Sequence, residues 1–537
     1  MRLISTHVKM IMEECKLRAR DAGLRFDDET LEYIVTNRDM LEMMPKNLIP
    51  TLYDYWVHDV GVFQQKAKYK LFPSNPYETV IDSRPAMSFY NDNNPDWLNV
   101  MIFYHVLGHI DFFQNNYAYQ TNRDEDFVGK ALSDKRYIAQ MRLEKGREVD
   151  YVIEFARGLD NLLGHHQALD ETNSPPGILP EDRTRFYFGE FLQNTKKVPH
   201  NDYLKEIDRY NEMMRREGLD KRIKENLFFA EVKTKHPEFN SLFDKKKDKK
   251  PRHKDLLDYI LLNSKKLQLE ENEWMRSVIN IVRDTGMYFA PHRRTKIMNE
   301  GWASYWHEKL FEMDDRVKGH EVDFAKINSG VVSIPRAGLN PYAIGMRLFK
   351  YIEEIGDRGR DCREYHRLKD THDRKVFDTG AGKGDRLIFD VRATMTDFLF
   401  VSRYLDQEFV DRHSLFVLGE RIDTQRMVKQ YYVKSRRAED YRQMIIDSLD
   451  HPPVIDINHE KTKNILYLQH RYEGKNLLRD YIPAVIRGLE FLWGAPIIFE
   501  TTERIGDGDG NEYTQQVRYH IKDKKVSKKV LDEKDIP

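Results

Sequence analysis

The chain has 537 residues, room for two to four ordinary domains and a deep core, and its 87 Lys and Arg against 88 Asp and Glu leave a formal charge of -1. So even a balance gives no electrostatic reason to bind nucleic acid or an anionic membrane. The two cysteines, Cys15 and Cys362, exclude a disulfide framework and a cysteine zinc cluster, so any metal must be held by His and carboxylates.

The opening MRLISTHVKMIMEECKLRAR reads as an amphipathic helix. Glu13 and Glu14 fall where a secretion signal needs an apolar region, and no uncharged apolar run approaches the roughly 18 to 20 residues that span a bilayer. A cytoplasmic protein with no membrane insertion is expected. From residue 5 to about 240 the pattern is mainly helical, interrupted by ETVIDSRPAMSFYND (78–92), whose β-branched and aromatic residues predict an extended segment broken at Pro85. Asn94 and Pro95 then predict a helix start, with the asparagine as cap.

DKKKDKKPRHK (244–254) has no apolar periodicity and is expected to be a solvated linker. It divides a helical region, 1–243, from a second one, 255–413, that packs on it. Its lysines lack the aromatic or recognition-helix pattern of a nucleic-acid site. Within the second region, Asn340 and Pro341 predict a capped helix over NPYAIGMRLFKYIEE.

From about residue 414 extended and helical segments alternate as strand, helix, two strands, helix, strand. That order predicts a separate α+β domain over 414–523, a ferredoxin-like split βαβ unit with an extra strand. GDGDGNE (506–512) lacks the ligand series of a calcium loop and reads as a hairpin turn, and 524–537 reads as a frayed tail.

Two segments could carry chemistry. In HVLGHIDFFQNN, stepping by three and four places Leu98, Ile102, His105, His109, Phe112 and Asn116 on one apolar stripe. Two neutral imidazoles one turn apart can bind one zinc ion, although HxxxH also arises by chance in packed helices. In MNEGWASYWHEKL, Ile297, Glu300, Ser304, His307 and Phe311 form a second stripe, flanked by Trp302, Tyr305 and Trp306. A buried glutamate needs a partner, and a metal is one. His, His and a later Glu is the ligand logic of zinc peptidases, so these are expected to be zincin-like metal-site helices.

The general base of an HExxH site would stand where this chain has Val106. Asp111, Glu308 and Glu300 are the candidates for that base, with Glu300 first and left as ligand or base, and His307 as ligand or transition-state stabiliser. Asp111, Asn115, Asn116 and Asn299 are expected to support the ligands from behind. His165 and His166 close an amphipathic helix and read as structural.

PAMSFYNDNN, HVLGHIDFFQNN, TKIMNEGWASYWHEKL, INSGVV, NPYAIGMRLFKYIEE and FVSRYLDQEFVDRHSLF are similar in order and spacing to the SpoVR family, from near residue 10 to about 500. The resemblance implies a cytoplasmic bacterial protein tied in spore formers to cortex peptidoglycan. It also implies a serine kinase of the PrkA type and a protein with a von Willebrand-like domain as partners. It directs attention to His105, His109, Asn115, Asn116, Asn299, Glu300 and His307, and supplies no settled reaction. The basic loop near 366–384 departs from the family, so no role for it is inherited. Metal-dependent hydrolysis of a peptide or amide bond is the leading expectation. The competing one is a regulatory scaffold whose His and Glu form a buried polar network.

Overall fold

The computed structural model describes residues 2–27, 29–43, 64, 78–122, 127–159, 162–164, 182–196, 198–215, 221–247, 255–335, 338–423, 428–449, 452–473, 476–506 and 512–531. Its chain divides into two compact units, Met1–His165 with Asp255–Pro537, and His166–Lys254.

In the larger unit, β1 (Arg2–Leu3), β2 (Thr30–Val35), β3 (Glu78–Ile81) and β4 (Ala86–Asn91) form a sheet in the order β1-β2-β4-β3. The β2–β4 pair is parallel and the outer pairs are antiparallel. The segment 78–92 thus becomes two strands, with Pro85 in the turn where its missing N–H breaks no ladder. The histidine helix, Asp96–Asn115, follows at once. Pro95 takes its cap position with no side-chain cap bond, so Asn94 does not cap as expected.

Every residue from Leu98 to Gln114 in that helix is buried. The expected single apolar stripe is therefore only part of the packing, because Val100, Met101, Phe103 and Tyr104 bury the other faces as well.

The glutamate helix, Lys296–Glu312, starts on the Asp397 carboxylate, which accepts from the Ile297 and Met298 N–H groups at 2.8 and 2.9 Å. An anion at this end complements the helix dipole. Trp302, Tyr305 and Trp306 are buried, as their sequence pattern predicts. Two glycine contacts set the helix spacing. A Cβ on Gly108 would lie 2.8 Å from Ala303 Cα, and one on Gly345 would lie 2.7 Å from Gly301 Cα. Gly345 belongs to the helix Pro341–Asp357, which Asn340 caps by accepting from the Tyr342 and Ala343 N–H groups.

Beyond residue 414 the expected ferredoxin-like unit does not form. β5 (Val417–Asp423) and β6 (Val428–Ser435) pair with each other as a two-stranded sheet. After the helix Ala438–Ser448 come β7 (Val454–Ile457), β8 (Leu466–Arg471), the helix Ile482–Trp493, β9 (Ile497–Gly506), β10 (Glu512–Lys522) and β11 (Lys525–Val530). These five strands lie in the order β11-β10-β9-β8-β7, so spatial order follows chain order. The parallel pair β8–β9 is the one joined by a helical crossover, and the other neighbours are antiparallel.

The expected frayed tail also begins as structure. Asp523 and Lys524 both take positive φ, 52° and 65°, and make a two-residue turn that folds β11 back on β10. Gly506 pairs with Glu512, as a hairpin at GDGDGNE requires, while 507–511 lie outside the described residues. The region 414–523 does not keep a core to itself. Leu489 and Phe499 share one apolar cluster with Ile153 and Val278 of the helices Glu148–Arg157 and Glu273–Arg294.

The smaller unit is a helical group with an aromatic core of Tyr187, Phe191, Phe228, Phe229 and Phe239. Its last helix among the described residues is Phe239–Lys247, so the first four residues of the expected linker are helical. Residues 248–254, and His165 and His166, lie outside the described residues.

Candidate metal centre

His105 and His109 are buried one turn apart on the histidine helix, and their Nε2 atoms stand 3.1 Å from each other. What lies between those atoms depends on where the ring protons are. His109 Nδ1 donates to Asn299 Oδ1 at 2.9 Å. In the neutral ring that leaves His109 Nε2 with a lone pair.

His105 is fixed through a longer chain. Asn328 Nδ2 donates to Glu308 Oε2 at 3.4 Å, and the other Glu308 oxygen is paired with Lys350 Nζ at 2.6 Å. The amide oxygen of Asn328 therefore faces His307 and accepts from its Nε2 at 2.9 Å. His307 Nδ1 is then an acceptor, and it receives the His105 Nδ1 proton at 2.9 Å. Burial, reinforced by His109 and His307, holds the His105 pKa well below its ordinary value, and burial pushes His307 down to about 4. Both rings of this chain are neutral at pH 7. The two Nε2 atoms thus present lone pairs to the same point.

Glu300 adds a third donor. Its Oε2 lies 3.6 Å from His109 Nε2, and it is buried with no hydrogen-bond donor. One donor atom from each of His105, His109 and Glu300 falls within 4.8 Å of the others. Ligand atoms at about 2.0 to 2.2 Å from one tetrahedral ion are separated by about 3.3 to 3.6 Å. The observed 3.1 and 3.6 Å lie close to that spacing. The charge of the Glu300 carboxylate, together with burial, raises the nearby Tyr342 phenol pKa far above its ordinary value.

A second carboxylate approaches from the sheet. Glu78, the first residue of β3, places Oε1 3.9 Å from His105 Nε2. Burial, then the charge of Glu300, pushes its pKa up to about 8.

The remaining residues singled out in the sequence divide. Asn299 and His307 touch the imidazoles as described. Asp111 faces away from them and accepts from the Arg25 N–H at 2.7 Å and the Trp302 indole at 2.8 Å. Asn115 Nδ2 donates to the carbonyls of Arg25 and Asp111, both at 2.6 Å. Asn116 Nδ2 donates to the carbonyls of Arg392 and Met395 at 2.7 and 2.9 Å. These three fasten the end of the histidine helix to its neighbours.

Sequence reasoning missed Glu78, Asn328 and Tyr342. Asn328 and Tyr342 sit inside INSGVV and NPYAIG, where they pass for capping or loop residues. Glu78 carries no local signal beyond being a charged residue in a strand.

Residues 4–451 match a family model described as "SpoVR like protein". That span includes both helices of the centre and ends before β7, short of the residue 500 expected from motif order. The "Uncharacterized protein YcgB" of Escherichia coli (strain K12) is 23% identical over 337 residues, which cover 60% of this chain and 59% of that protein. The chain thus spans about three-fifths of the length of this curated relative. No solved structure matches. Among the described residues no helix is long and apolar enough to cross a membrane.

Proposed function

The chain belongs to the SpoVR family, whose model covers residues 4–451 and with them the whole His and Glu cluster, and from this premise we propose that it is a metal-dependent hydrolase of a peptide or amide bond. The carrying observation is the pair of imidazole Nε2 lone pairs 3.1 Å apart beside a buried glutamate oxygen that no donor satisfies. Two lone pairs and a carboxylate repel unless a cation lies between them, and an unsatisfied buried oxygen is costly. Neutral nitrogen and carboxylate oxygen suit zinc, with His105, His109 and Glu300 as its ligands in a zincin-like arrangement. A bound divalent cation would polarise a carbonyl and lower the pKa of a water molecule.

The protein's own residues prepare for that chemistry. Asn299 holds His109 in the tautomer that leaves Nε2 free, and Asn328 does the same for His105 through His307, making His307 a positioning residue. Peptidoglycan stem peptides are the amide substrates suggested by the family's link with the spore cortex, and the cytoplasm is the proposed compartment.

The test is digestion of a synthetic peptide and muropeptide library read by mass spectrometry. Zinc-loaded protein should release new fragments, with none from His109→Ala or in the presence of 1,10-phenanthroline. A library left intact by the loaded wild type would count against peptide and amide hydrolysis.

A regulatory scaffold is the second reading, favoured by the hydrogen-bonded chain His105–His307–Asn328, which joins three helices whether or not an ion binds. The serine kinase and von Willebrand-like protein would then be its partners. This reading expects Glu300→Gln to lower thermal stability without abolishing any cleavage.

A further inference from the structure

We infer that Glu78 is the proton acceptor for water attack at this centre, filling the role left empty where Val106 follows the first histidine. The inference rests on His105, His109 and Glu300 being the metal donors.

Placement distinguishes the two carboxylates. Glu300 comes from its helix beside His109 and converges with the imidazoles. Glu78 comes from the opposite element, an edge strand, on the His105 side and outside that convergent group. Its side chain is 20% exposed, so water and a substrate can reach it. Among the described residues Glu78 forms no hydrogen bond and no ion pair with Lys or Arg; its charged-group contact is His105. A carboxylate serving only the fold would be expected to have such a partner.

The other acidic groups near the site are engaged. Glu308 is bonded to Lys350 and Asn328, and Asp111 to Trp302 and Arg25. Val106 itself is fully buried in the core and offers no proton acceptor.

The step balances with these groups alone. Burial and the charge of Glu300 alone would keep the Glu78 carboxyl protonated at neutral pH, and a cation held beside it would offset both and leave the carboxylate free to accept. Water then gives a proton to a Glu78 carboxylate oxygen as its own oxygen bonds to the carbonyl carbon. The C–N bond then breaks, its electron pair goes to nitrogen, and that nitrogen takes the proton back from Glu78. The products are a carboxylic acid and an amine, which at neutral pH exchange the acid proton and leave as carboxylate and ammonium.

Acetohydroxamic acid tests this without a known substrate, because it binds zinc centres and gives up a proton as it does so. Calorimetric titration of the full-length, zinc-loaded protein in buffers of different ionisation enthalpy counts the protons released. In the wild type the proton passes to Glu78, and few reach the buffer. Glu78→Gln should keep its zinc and its melting temperature, release about one more proton per site, and bind the probe about tenfold more weakly. Glu78→Asp, which keeps a carboxylate, should behave closer to wild type.

Equal proton counts and affinities in wild type and Glu78→Gln would overturn the inference while leaving the metal centre standing. Zinc loss from Glu78→Gln as complete as from His105→Ala would also overturn it, making Glu78 a ligand. A wild type that binds no zinc would defeat the reading of the centre itself, and this inference with it.

Discussion

Gly345→Ala is expected to unfold at a clearly lower temperature than the wild type, against the trend of helix propensity. In an exposed helix interior the same change stabilises by about 1 kcal/mol. Here the added Cβ would stand 2.7 Å from Gly301 Cα and closer still to the Ile297 carbonyl oxygen. Both neighbours are backbone, so no side chain can rotate to make room and the two helices must separate. Overpacking of this kind costs about 1 to 3 kcal/mol, and more where backbone must move.

Because Tyr342 and Glu300 sit on these two helices, the centre should loosen as well. Gly330→Ala is the control. Gly330 lies in the helix Glu321–Val331 and a Cβ there would meet nothing within 4 Å. It should melt at or slightly above the wild-type temperature. Thermal unfolding followed by circular dichroism decides the matter, and a Gly345→Ala protein that melts with the wild type would contradict the close helix contact.

His307→Leu is expected to weaken zinc binding by about 10- to 100-fold although His307 donates no electrons to the metal. The substitution replaces a side chain that is 1% exposed with an apolar one, so the core stays filled. What it removes is the acceptor for the His105 Nδ1 proton, 2.9 Å away. The His105 ring then loses its fixed tautomer, and its Nε2 carries a proton for part of the time. Asn328→Asp supplies the contrast, because a carboxylate still accepts from His307 Nε2 and should leave the affinity at least as high. Competition against a zinc-binding chromophore reads both variants. Wild-type affinity in His307→Leu would show that the hydrogen-bonded chain does not prepare the ligand.

The legible parts of this fold are those decided locally. Asn340 followed by Pro341 announces its helix, and ETVIDSRPAMSFYND announces extended structure broken at Pro85. The spacing of His105 and His109 places both on one side of a helix, and the aromatic residues around Glu300 announce a buried one.

Burial itself discriminated less than periodicity promised, since the histidine helix is enclosed on every side. The site depends on the approach of Gly108 to Ala303, which brings the two helices together and which a pattern of apolar residues does not encode. Glu78 reaches His105 through the pairing of β3 with β4, a relation carried by sheet register and not by any spacing within the segment. Asn328 and Tyr342 reach the site from neighbouring helices, Glu321–Val331 and Pro341–Asp357. β11 was missed because its turn uses Asp523 and Lys524, where a positive-φ hairpin more often advertises itself with Asn-Gly or Asp-Gly. The order of strands beyond β6 is a matter of which strands pair across the sheet, and the alternating pattern is the same for either topology.

X-ray absorption at the zinc edge of the loaded, full-length protein tests the central claim most directly. Two imidazole nitrogens and carboxylate oxygen at about 2.0 to 2.2 Å are predicted, with the imidazole scattering lost in the His105→Ala, His109→Ala double variant. Zinc that fails to bind, or that binds without imidazole scattering and equally well in the double variant, would contradict it.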